Sequence, residues 1–378
     1  MKRVIAILFL LSVSSNAATT FMYDGGDSTR DDSFPWTVKT GAATIDTTTP
    51  ITGAASLKMD CTGLITYRMN GVYADAGRRT TFRFKMSAIP SGSVGIMAVQ
   101  TSGANNIFVL NVTSAGKLMI VPTGANAGTT GTTVLNTSTP YRIALSYTIT
   151  SSTVFAAKVY LNGKLEATAT VSGTLTTTSS NRILIGNGTA FGAGQFVWFD
   201  DIFIDDGATL DDPGNIIVTA KRPNANGAAN AWTTQIGSGG SGYGTGHSPQ
   251  VNEQPLSTTN GWSIASASLL TEEYTIEGAA TGNIDVSNPR YKLIDYMGWV
   301  YAKVGSAGTR NIIVNGSASN VSLTTTATQF TKIAGSSTYP SGNTAIGMNN
   351  NSVNNLTSLY ECGILLAYKL PRRVSVTP

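Results

Sequence analysis

Asn162-Gly163 stands between two runs in which apolar and polar residues alternate. Phe155-Ala156-Ala157-Lys158-Val159-Tyr160-Leu161 precedes it and Lys164-Leu165-Glu166-Ala167-Thr168 follows. This is a tight-hairpin signal. Both turn residues must take positive φ, which Asn and Gly tolerate, and a period of two turns one face of each strand toward a core. The alternation recurs in Thr81-Phe82-Arg83-Phe84-Lys85-Met86 and in Tyr141-Arg142-Ile143-Ala144-Leu145-Ser146-Tyr147. No window carries a sustained helical stripe, so the chain reads as all-β. Composition agrees. Only 12% of the 378 residues are charged, while 41% are hydrophobic. A helical bundle would show a surface rich in Glu, Lys and Arg, and a disordered chain would show higher net charge and fewer apolar residues. Threonine favours extended backbone and wets an outer sheet face without adding charge.

Residues 1–17 read as a secretory signal peptide. Lys2 and Arg3 form the charged start, Val4 to Leu11 the apolar run, and Ser15-Asn16-Ala17 the small-residue cleavage motif. The run is too short to span a bilayer, which takes about 20 residues. No later stretch is long and apolar enough to do so, and an exported protein is expected. Residues 18–208 form a first β domain and 209–214 a turn-rich linker. Residues 215–378 form a second, smaller β-sandwich domain with a Gly/Ser-rich loop at 237–246. In that second part, strand-like runs are expected at Tyr291–Ile294, Gly298–Val304, Arg310–Val314 and Ile364–Leu370. Cys61 and Cys362 lie in different domains and read as two separate buried thiols. The net charge of +4 leaves no electrostatic footprint for nucleic acid.

Chemistry is sparse. The one histidine, His247, sits in the Gly-rich loop and reads as a solvent-exposed imidazole, because a loop gives a catalytic base little support. Glycosidase chemistry needs two carboxylates about 5–9.5 Å apart. Glu272, Glu273 and Glu277 come nearest to such a set, but the acidic strand familiar from laminarinases is missing. No residue is assigned a catalytic role, and the chain is expected not to be an enzyme. Acid pairs recur at Asp31-Asp32, Asp200-Asp201, Asp205-Asp206 and Asp211-Asp212 and read as strand-end and turn carboxylates that bond local backbone. No cofactor is expected unless it is calcium, which takes six to eight oxygen ligands and for which Asp200, Asp201, Asp205 and Asp206 are the candidates. Of the five tryptophans, Trp198 and Trp299 lie within alternating strands and read as core. Trp232 and Trp262, with Tyr243, border the loop region and are candidates for a ligand-binding surface patch.

Phe196-Val197-Trp198-Phe199-Asp200-Asp201-Ile202-Phe203-Ile204-Asp205-Asp206-Gly207 resembles the closing strand of the laminin G-like, concanavalin A-type jelly-roll domain. Gly53–Met59 and Val159–Lys164 resemble upstream strands of the same fold. Val218–Asn226, Trp232 and Val251-Asn252-Glu253 follow in an order similar to a group of two-domain structural proteins of tailed phages. So do the Ala307-Gly308-Thr309-Arg310 turn and Gly363–Tyr368. The resemblance implies a concanavalin A-like antiparallel jelly-roll sandwich followed by a smaller β-sandwich. It also implies a non-catalytic virion surface, tail-associated or decoration protein with an adhesive module. The alternative is a secreted, lectin-like carbohydrate binder, and a glycoside hydrolase or lyase comes last. Expected partners are a surface glycan or other virion proteins, with a homo-oligomer adding avidity.

Overall fold

The computed structural model describes residues 19–26, 36, 38–41, 43–62, 65–70, 77–101, 103–122, 128–151, 154–172, 182–187, 191–207, 209–221, 223–230, 234–236, 261–264, 271–276, 292–306, 308–314, 317–323, 325–326, 328–333, 344–349 and 357–370. The proposed signal segment, His247, Trp232, Tyr243, Glu277 and the 237–246 loop lie outside them.

The described residues are strands and their connections, with no α-helix. Fifteen strands come first: β1 (Thr19–Tyr23), β2 (Val38–Thr40), β3 (Ala43–Asp46), β4 (Ser56–Asp60), β5 (Ile65–Asn70), β6 (Arg78–Met86), β7 (Val94–Gln100), β8 (Asn106–Val112), β9 (Lys117–Pro122), β10 (Thr129–Val134), β11 (Tyr141–Ser151), β12 (Val154–Leu161), β13 (Lys164–Ser172), β14 (Arg182–Asn187) and β15 (Phe196–Asp205). They build two facing antiparallel sheets. Sheet A runs β13-β12-β11-β6-β15-β4-β3, with β1 also against β15. Sheet B runs β10-β9-β8-β7-β14-β5-β2. Neighbours far apart in sequence lie side by side, as in a jelly roll.

The alternation explains the layers. On β6, Phe82, Phe84 and Met86 enter the core between the sheets, while Arg79, Arg83 and Lys85 turn outward. The Asn162-Gly163 hairpin forms as read: Leu161 pairs with Lys164, and the two turn residues have φ of 51° and 92°.

Eleven strands follow: β16 (Ile216–Lys221), β17 (Pro223–Asn230), β18 (Thr234–Ile236), β19 (Gly261–Ile264), β20 (Thr271–Ile276), β21 (Lys292–Val304), β22 (Gly308–Val314), β23 (Ser317–Leu323), β24 (Thr328–Ile333), β25 (Thr344–Asn349) and β26 (Thr357–Lys369). Sheet C runs β18-β19-β26-β21-β24 with β16 beside β26, and sheet D runs β17-β20-β25-β22-β23. The run expected at Gly298–Val304 and the described part of that expected at Tyr291–Ile294 are one strand, β21, with an irregularity between Leu293 and Asp295. The interruption in alternation is a bulge rather than a chain break. Of the turn expected at Ala307–Arg310, Gly308, Thr309 and Arg310 are strand, and Arg310 is fully buried, its Nε donating to Thr357 Oγ1 at 2.7 Å. Cys61 and Cys362 are both buried, in different apolar clusters.

A third apolar cluster joins the two halves. Met22 and Phe203 of the first half pack with Ile216, Val218, Met297, Trp299, Leu365 and Ala367.

Candidate functional site

The outer faces of the two large sheets differ. Sheet A is filled from its own chain. Arg142 grips Asp212 through both guanidinium ends, at 2.6 and 2.7 Å, and its Nη1 also donates to the Gly214 carbonyl. Arg79 pairs with Asp205 and Asp211, and Tyr160 donates to the Leu210 carbonyl. The turn-rich stretch after β15 is therefore strapped across sheet A. A local interruption of regular structure looks the same in sequence whether the segment hangs free or is pinned.

A bulge divides β15. Asp201 takes φ +48°, β4 pairs with the residues before it and β1 with those after it. Asp200 and Asp201 are both 1% exposed. Asp200 Oδ2 accepts from Ser56 Oγ, Thr52 Oγ1 and the Thr52 amide. Asp201 accepts from Arg83 Nε at 2.6 Å and from the Val218 amide at 2.8 Å. Burial first, and then the charge of Asp201, pushes the Asp200 carboxyl well above the usual range. Burial raises Asp201 as well, against the pull of Arg83. The other two aspartates proposed for calcium are elsewhere: Asp205 is held by Arg79, and Asp206 is half-buried beyond the strand end. Among the described residues no three His, Cys, Asp or Glu side chains gather as a metal cluster.

Nearer the other end of β15, Thr44, Lys58, Trp198 and Lys85 form one row over four strands. Lys85 Nζ lies 4.3 Å from the Trp198 ring centroid, and Lys58 Nζ lies 4.0 Å from that of Phe196. Trp198 Nε1 donates to Asp46 Oδ2 at 2.7 Å. Trp198 is buried as expected, but on the outer side of the sheet rather than in the central core. Burial works to raise the Asp46 carboxyl, but donation from Trp198, Thr49 and Thr48 prevails and holds it far below the usual carboxylate range. A depressed folded pKa contributes stability above the unfolded value, about 3.9, that is lost as pH falls below it. Acid unfolding monitored by tryptophan fluorescence should therefore begin near pH 4, and Asp46→Asn should flatten that limb. An unchanged limb would remove Asp46 from the acid response.

Sheet B presents a different surface. Arg68, Leu184, Ala98, Val109 and Val121 stand directly opposite one another on β5, β14, β7, β8 and β9. All five are half-buried, while their strand neighbours Tyr67, Ile183, Val99, Phe108 and Ile120 fill the core. One row away, Arg182 faces Gln100, whose Nε2 donates to Asn106 Oδ1 at 2.8 Å. On the other side lie Asn111 and Met119. Among the described residues, the larger contacts of sheets C and D with the first half run through β1 and β15 of sheet A.

Of the aromatic candidates named from sequence, Trp262 alone falls among the described residues. Trp262 lies in β19, its backbone paired with Gln235 and Leu359, and the other two lie outside the described residues. Glu272 and Glu273 are in β20, in sheet D.

No protein-family model matches the chain, and no curated protein matches it. Solved structures are similar to part of the chain. The endo-beta-1,4-glucuronan lyase of the fungus Trichoderma reesei is 14% identical over 52% of this chain and 98% of that one, with a TM-score of 0.41. The binding domain of Paraclostridial Mosquitocidal Protein 1 is 12% identical over 51% of this chain and 49% of that one, at 0.39. A Trypanosoma rangeli sialidase is 12% identical over 45% of this chain and 28% of that one, at 0.31. The expectations of a virion surface or tail protein and of a chain without catalysis are corrected: two of these three proteins are named as enzymes and none as a particle component. No helix among the described residues is long and apolar enough to cross a membrane.

Proposed function

We propose that the chain is a carbohydrate-interacting β-sandwich protein whose glycan lies across the outer face of sheet B. The contrast between the two outer faces carries this reading. Sheet A spends its charged groups on the chain itself, whereas sheet B offers a shallow apolar floor beside amides that both donate and accept, which suits sugar rings and hydroxyls. The laminin G-like reading of residues 18–208 belongs to the same proposal. It is supported by the two-sheet strand order and by the 162–163 hairpin. Export is proposed on residues 1–17 alone.

Titration calorimetry against a panel of oligosaccharides tests the binding face. Ala98→Trp places a bulky ring in the middle of the five-strand row, and at least a tenfold loss of affinity is expected with melting unchanged. Undiminished binding by that variant would move the site elsewhere.

Calcium is proposed for Asp200 and Asp201 only. With only the guanidinium of Arg83 beside two fully buried carboxylates, burial favours a proton on Asp200, and a cation would take that proton's place. Adding calcium to metal-stripped protein should raise its melting temperature, and EDTA should reverse the rise. Equal melting in both would end the proposal.

A further inference from the structure

Resting on that reading, we propose that the ligand of the sheet B face is a carboxylate-bearing polysaccharide, recognised by Arg68 and Arg182. The seven strands of sheet B contain Lys39, Arg68, Lys117 and Arg182 and no acidic residue. Sheet A contains Asp46, Asp60, Glu166, Asp200, Asp201 and Asp205. Between Asp75 and Asp200 the chain has one acidic residue, Glu166. That carboxylate belongs to the far edge, where it accepts from the amides of Thr132 and Thr133 and from Thr133 Oγ1.

The two arginines are placed to act together. Arg68 stands opposite Leu184, and Arg182 is two residues along the same strand. Such diagonal neighbours on one face lie about 7–8 Å apart. Both side chains are half-buried, so their stems are held by the sheet. Among the described residues neither forms an ion pair, and Arg68 Nε is buried without a hydrogen-bond partner. A planar guanidinium binds a carboxylate through two parallel N–H donors, and a charge left unspent by the fold is available to a ligand.

The rest of the face favours a sugar over other anions. Arg182 continues into Gln100 and Asn106, and Arg68 into the apolar row ending at Val121, which crosses four inter-strand gaps, or about 19 Å. An extended chain of rings can lie along that row with its hydroxyls on the amides and its acid groups at the arginine end. No aromatic side chain stands in these rows to stack a nucleobase, as single-stranded nucleic acids require.

Calorimetry on the full chain decides it, using a homopolymeric uronate oligosaccharide, a neutral oligosaccharide of equal length and a single-stranded oligonucleotide. The uronate should bind at least tenfold tighter than the neutral sugar, and its affinity should fall as salt rises. Arg68→Gln and Arg182→Gln should each cut uronate affinity about tenfold or more, and by a larger factor than they cut the affinity of the neutral sugar. Equal or tighter binding of the neutral sugar would overturn the acidic preference and leave the glycan face standing. Binding of neither sugar would overturn both. Oligonucleotide binding as tight as the uronate would show a general polyanion surface and overturn the inference. Salt-independent uronate binding by the unaltered chain would do so even if the variants failed to fold.

Discussion

Replacing Asp212 with alanine is expected to destabilise the fold by about 3–5 kcal/mol, the cost of leaving a buried ion without its partner. The side chains of Arg142 and Asp212 are 8% and 5% exposed. Their two short bonds form a fork, and the same guanidinium donates to the Gly214 carbonyl at 2.8 Å. Removing the carboxylate strands a cation under the strap, where water can reach it only if the segment lifts away. The pair itself contributes far less than its loss costs, because burying both ions required stripping their water. The double replacement Arg142→Met with Asp212→Leu should accordingly recover most of the loss. Urea unfolding at constant slope measures both. A loss below about 1 kcal/mol for the single variant is the behaviour of a solvent-screened pair and would show that the strap is open in solution.

This strap marks a limit of what sequence makes legible. Gly207, Pro213 and Gly214 announce a break in regular structure, and the break is present. Nothing local says that Asp211 and Asp212 answer Arg79 and Arg142, more than sixty residues away, because ion pairing depends on strand order and not on spacing. Elements set by nearest neighbours were readable: the alternation of β6 and β11, the hairpin between β12 and β13, and the aromatic β15. The division of strands between sheets was not. Arg68 and Arg182 look unremarkable in β5 and β14. Their significance appears only once those strands lie side by side in a sheet without acids. Paired acids and tryptophans are conspicuous one at a time in a sequence. A property spread over seven strands has no local signature beyond the long gap between Asp75 and Asp200 that Glu166 alone interrupts. Trp198 shows the same limit: its alternation was right, but period-two patterning does not tell which buried side of a sheet a residue occupies.

The second large effect is expected at Trp299, where truncation to alanine should cost about 3–5 kcal/mol. The indole is fully buried in the cluster that joins both halves of the chain, among Met22, Phe203, Val218 and Leu365. It lies over its cross-strand partner Gly363: a Cβ at that position would come within 2.7–2.8 Å of the ring atoms Cζ2, Cε2 and Nε1. Backbone dihedrals do not demand glycine there, and the requirement is room for the ring. Gly363→Val alone should therefore destabilise through overpacking, by about 1–3 kcal/mol. In the double variant the valine occupies space the indole has left, so the combined loss should fall below the sum of the single losses by about 1 kcal/mol or more. Strict additivity would mean that the ring and the glycine do not share that space. Because the cluster draws on strands from both halves, Trp299→Ala should also lower the transition of the first sandwich in calorimetry. A first sandwich that melts unchanged would show that its stability does not depend on the contact between the two.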